Sequence, residues 1–89
     1  MGIEWTASAD KHGIPREEAQ WAMLHADHVE TEFGEPRIPG QGAPTLYIGP
    51  SRFGTLEVLV TTTPPRTVLV FHVMPLRAVT ARAVGYTQK

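Results

Sequence analysis

The chain has no cysteine, so it carries neither disulfides nor thiolate metal sites and needs no oxidising compartment. It also lacks a long apolar run: its unbroken apolar stretches are a few residues, against the roughly 20 that span a bilayer. The opening Met1-Gly2-Ile3-Glu4-Trp5 lacks the basic-then-apolar pattern of a signal peptide, so a cytoplasmic location without membrane contact is expected. No glycine-rich phosphate loop, dinucleotide fingerprint or Ser/His/Asp spacing is present. The remaining scarcity is local. Residues 46–89 hold a single acid, Glu57, beside five bases (Arg52, Arg66, Arg77, Arg82 and Lys89). Residues 1–45 hold eight acids against three bases, Lys11, Arg16 and Arg37. A net charge of −1 therefore conceals halves of −5 and +4, and the basic half offers a patch for a polyanion. The pI of 6.4 argues against a generic nucleic-acid binder.

What is present fits one small globular domain, residues 1–89, with 42% apolar and 19% charged residues. Ile3–Thr6 reads as a first strand anchored by Trp5. Ser8 is placed to cap a helical turn ending at Gly13. Pro15 at a helix start, Glu17 and Glu18 in the first turn, and Ala19, Ala22, Met23 and Ala26 at i, i+3, i+4, i+7 predict an amphipathic helix over 15–26. Val29, Thr31 and Phe33 alternate with acids as an edge strand does. Residues 34–44, with three Gly and with Pro36, Pro39 and Pro44, read as a mobile surface loop. Strands over 46–49, 55–61 and 67–73 follow, separated by short turns, and a last helix is expected over 76–86 with Val79, Arg82, Ala83 and Tyr86 on one stripe. The expected fold is α+β: an antiparallel sheet with two N-terminal helices packed on one face and a short C-terminal helix.

Alternation over 67–73 sets Leu69, Phe71 and Val73 toward the helices and Val68, Val70 and His72 on the open face, unless a bulge precedes Pro75. The parity of the 55–73 hairpin stays open. A four-residue turn puts Glu57 on the face of His72, and a five-residue turn does not. His25 and His28, three apart at a helix end, are a weak metal signal without a third ligand, so no metal site is expected.

Several segments together resemble the BrnT-type toxins of bacterial type II toxin–antitoxin pairs, within the wider RelE/ParE superfamily. They are Trp5 in the first strand, Lys11-His12-Gly13-Ile14 followed by Glu17-Glu18-Ala19, Tyr47-Ile48-Gly49 before a turn with Gly54, and an apolar strand ending near Arg77, which opens the last helix. The resemblance spans nearly the whole chain. It implies a RelE-like fold and a ribonuclease that blocks translation, cleaving RNA, free or ribosome-bound, by attack of a ribose 2′-OH on the adjacent phosphate, with no metal or cofactor. It also implies a cognate, DNA-binding antitoxin encoded beside the toxin. Such chemistry needs a proton acceptor, a cation for the charge developing on phosphorus and a proton donor for the leaving 5′ oxygen. Arg77 matches the cation, His72 suits either proton role, and Tyr86 and Arg82 share a helical face as further catalytic candidates. Arg52, Arg66, Lys11 and His12 are candidates for RNA binding. The residues leave a second reading open, a non-catalytic protein of the same fold that acts only through a protein partner.

Overall fold

Alternating apolar residues in the second half of the chain pair into the centre of a five-stranded sheet, and the computed structural model describes it over residues 2–34, 42–63 and 67–87. The elements follow the expected order: β1 (Gly2–Trp5), a 3₁₀ turn (Ala7–Asp10), α1 (Arg16–Leu24), β2 (His28–Glu30), β3 (Thr45–Gly49), β4 (Leu56–Thr63), β5 (Thr67–Pro75) and α2 (Ala78–Val84). In space the strands run β1-β5-β4-β3-β2. The pairs β2–β3, β3–β4 and β4–β5 are antiparallel, but β1 pairs in parallel with β5, so the sheet is mixed and not antiparallel throughout. Most of the loop expected over 34–44 lies outside the described residues.

The two expected N-terminal helices are one α-helix preceded by a four-residue 3₁₀ turn. Thr6 caps that turn, its hydroxyl accepting from the Ala9 amide at 3.2 Å, so Ser8 is released for another contact. Pro15 is extended and α1 starts one residue later, with Glu17 and Glu18 in its first turn. Ala19 and Ala22 are fully buried against Leu56, Val58, Val60, Val70 and Val73, with Trp5 and Tyr47 at the border of this core. Each enclosed Val or Leu contributes roughly 1.5–3 kcal/mol. At Gly49 a Cβ would overlap the backbone carbonyl of Ala22, so glycine lets α1 lie directly on β3.

The helices do not share a face. Glu57 alternates with Leu56 and Val58 and so lies on the side of the sheet away from α1, with its neighbours Ile48 and His28. There α2 is tied down by Thr80, which hydrogen-bonds Glu57, and by Tyr86 beyond its end, which meets Asp27 and His28. Leu46 and Ile48, fully buried on this face, form a second apolar layer. Thr80 is the buried residue of α2, whereas Val79, Arg82 and Ala83 of the expected stripe are exposed. Helix periodicity misled here because the inward position is held by a hydrogen bond to a carboxylate and not by an apolar contact. No helix among the described residues is long and apolar enough to cross a membrane.

Candidate active site

Glu57 stands inside the apolar run Leu56-Glu57-Val58-Leu59-Val60 and is 0% exposed. A carboxylate ionised in such a position needs its oxygens filled by donors. Oε1 accepts the backbone N–H of Arg77 at 2.9 Å. Oε2 accepts Arg77 Nε at 3.1 Å and Nη2 at 2.7 Å, and lies 2.8 Å from His72 Nε2. Burial pushes the carboxyl upward, but the donors from His72, Arg77 and Thr80 outweigh it and hold its pKa at about 2, against an ordinary 4.5. The same hydrogen bonds hold Arg77 above its usual value. Glu57 itself is unreachable from solvent, yet the His72 side chain is 23% exposed and that of Arg77 47%. One enclosed acid thus fixes two accessible groups.

A bulge creates this contact. Thr63 pairs with Thr67 and Val60 with Val70, a register that, if continued, would set Glu57 opposite Val73. One extra residue in β5, Phe71, shifts the ladder so that Leu59 pairs with His72 and Glu57 with Met74. Val68, Val70 and Val73 consequently pack with the α1 core, while Leu69 and His72 take the other side. This corrects the simple alternation: Val73 stays on the helix-facing side, but Val68 and Val70, expected beside His72, join it there, Leu69 leaves it, and the face of His72 is not open but carries α2. The bulge is capped from outside: Ser8 Oγ donates to the Phe71 carbonyl at 2.8 Å. The segment that follows Ser8 carries His12 beside His72, ring centroids 6.3 Å apart and edge-on.

Of the sequence candidates, His72, Arg77 and His12 come together. Lys11 is exposed next to His12, and Arg82 is exposed on α2. Tyr86 lies elsewhere: its hydroxyl is 3.4 Å from Asp27 Oδ2 and its ring stands 6.3 Å from that of His28, three strands from β5, or about 14 Å at ordinary strand spacing. Burial and the neighbouring Asp27 both raise its pKa, so it holds its proton. Arg52 is on the α1 side, paired with Glu18 through Nε at 2.8 Å. Arg66 lies outside the described residues. No cluster of three metal-ligating side chains occurs among the described residues; His25 stacks on Trp21 and His28 pairs with Glu30.

The residues that sequence reasoning did not place in the site are Glu57 and Thr80. Glu57 carried a signal, as the single acid of residues 46–89 and the one charge in an apolar strand. Compared with family models, with curated proteins and with solved structures, the chain matches none.

Proposed function

We propose that this chain is a metal-independent endoribonuclease toxin of the BrnT-like, RelE-fold kind, neutralised by a cognate antitoxin encoded beside it. The observation that carries the reading is the grouping of two imidazoles and a guanidinium, with His72 and Arg77 both fixed by the enclosed Glu57. In the tautomer that donates Nε2–H to Glu57, His72 presents Nδ1 as a proton acceptor, the orientation a carboxylate imposes in acid–base dyads generally. Nδ1 removes the 2′-OH proton as that oxygen bonds to phosphorus. The charge gathering on the phosphoryl oxygens falls to Arg77, whose Nη1 has no partner among the described residues. Protonated His12 donates to the departing 5′ oxygen. The products are a 2′,3′-cyclic phosphate and a 5′-hydroxyl, and the proton count balances. Tyr86 and Arg82 take no part in this scheme.

Mapping of 5′ ends on RNA incubated with the purified protein, with and without ribosomes and in excess chelator, tests the reading. Discrete new 5′-hydroxyl ends are expected, chelator-insensitive and weakened about 10²–10⁴-fold in His72→Ala or His12→Ala. Intact RNA under both conditions would refute it.

A second reading, a non-catalytic interaction protein, is favoured by one observation. Glu18 grips Arg52 through backbone N–H and Nε in the same way that Glu57 grips Arg77, with no histidine in attendance. A buried Glu–Arg grip is thus also a fold-building device in this chain. That reading predicts harmless expression and undamaged RNA with partner binding intact.

A further inference from the structure

On the α1 side of the sheet an open groove of about 600 Å³ is lined by Glu17, Glu18, Trp21, Pro50, Ser51 and Arg52. None of the Glu57 cluster contributes to it. Trp21 is 53% exposed although it sits on the helix that buries Ala19 and Ala22, and its ring is braced by His25 with centroids 3.9 Å apart. The Arg52 side chain is 86% exposed; Glu18 holds its backbone N–H and Nε, and its Nη atoms have no partner among the described residues. Glu18 is filled by those two donors, whereas Glu17 is exposed on the same wall. The groove therefore offers a flat aromatic platform, a guanidinium clamped by its inner edge and a free carboxylate. An aromatic platform stacks any base, Arg Nη groups bind phosphate oxygens, and a carboxylate accepts from an exocyclic amine. The volume falls in the range of small-ligand sites.

We propose that this groove is a nucleotide subsite: an amino-bearing base (cytosine, adenine or guanine) stacks on Trp21 and donates to Glu17, while its phosphate meets Arg52. The inference rests on the ribonuclease reading for the source of the nucleotide, one unit of a bound RNA chain. The turn that carries Arg52 also touches the candidate active site, since the Leu76 N–H donates to the Thr55 carbonyl at 2.9 Å immediately before Arg77. Both sites thus lie at one end of the sheet, on opposite faces.

The test titrates the whole protein with uncleavable 2′-O-methyl hexacytidylate, the hexauridylate and CMP, following tryptophan emission and the anisotropy of end-labelled oligomer. The hexacytidylate should quench emission and bind more tightly than the hexauridylate. Trp21→Ala should weaken it about tenfold, Trp21→Phe should restore most of that loss, and Glu17→Gln should bring the two oligomers together. Binding indifferent to Trp21→Ala, or equal for both oligomers, would overturn the proposal. CMP binding as tightly as the hexamer would overturn the RNA source and give the groove to a free nucleotide. Because the probes cannot be cleaved, intact binding in a protein that cuts no RNA would defeat the nuclease reading alone, and RNA cleavage with Trp21-independent binding would defeat this one alone.

Discussion

The chain builds the same grip twice, on opposite faces of its sheet, and the two copies differ in what they leave for solvent. In each, a buried glutamate takes the backbone N–H and the Nε of a single arginine: Glu57 with Arg77 at the start of α2, and Glu18 with Arg52 in the turn after β3. Using one residue as both main-chain and side-chain donor fixes a loop and a guanidinium with one carboxylate. Glu57 accepts from His72 and Thr80 as well and is wholly enclosed. Glu18 has Arg52 alone, at a rim. The first grip therefore organises an imidazole and a guanidinium, and the second presents a cation beside an indole. The added imidazole, not the ion pair, separates a candidate reaction centre from a candidate binding surface.

The comparison breaks most severely at Glu57. Glu57→Ala leaves Arg77, His72 and Thr80 without their common acceptor, and removing one member of a buried pair costs about 3–5 kcal/mol. For a chain of this size each kcal/mol lowers Tm by roughly 4–8 °C, so thermal unfolding should show the largest drop of any single substitution named here. Acid sharpens the point. The Glu57 pKa lies at about 2 in the folded chain against an ordinary 4.5, so its contribution is complete above pH 4.5 and is lost as pH falls from there toward 2. A shift of that size is on the order of 3 kcal/mol. Glu57→Gln should flatten this limb of the stability–pH curve, and an unchanged limb would show that another group sets it.

How much of this was legible beforehand depends on what each residue uses to hold its place. Element order, α1 and the three consecutive strands came from apolar spacing, because apolar burial is periodic along the chain. The parallel pairing of β1 with β5 is long-range and leaves no local mark. The Phe71 bulge is one residue whose position is set by the partner strand and by the Ser8 hydroxyl, so simple alternation kept Leu69 with Val73 and Val68 and Val70 with His72, with no signal in β5 itself. His72 and Arg77 were readable as chemistry-bearing types at a strand-to-helix junction. Their junction with Glu57 depended on the Phe71 bulge, which overrides the register set at the hairpin and which the turn residues do not encode.

A middle-sized effect separates the two grips. Gly49→Ala would drive a Cβ into the Ala22 carbonyl, pushing α1, and with it Glu18, away from β3. Overpacking of this kind typically costs 1–3 kcal/mol. The second grip should loosen while the first persists, because Glu57 hangs from β4 and α2. Proton chemical shifts of the His72 ring should stay near those of the unaltered chain while the Arg52 amide moves; coincident changes at both would mean that the two faces are coupled through the sheet.

Arg52→Ala should do least to stability, and the reason distinguishes the two kinds of donor. The Arg52 side chain is 86% exposed, where an ion pair contributes at most about 1 kcal/mol, so a Tm change of a few °C is expected, roughly 8 °C at most. Glu18 should nevertheless keep most of its depressed pKa. The largest cause of that depression is the backbone N–H of residue 52, which alanine retains, with the guanidinium hydrogen bond second. Titration of the Glu18 carboxyl by NMR should therefore stay below its ordinary 4.5 in Arg52→Ala, and stability linked to it should still be present above that value and fall as pH drops through the depressed one. Return of the Glu18 pKa to 4.5 would mean that the guanidinium holds the acid and the amide merely accompanies it. In that case the Nε contact is the anchor of the turn, and the Nη groups remain the part of Arg52 left for a phosphate.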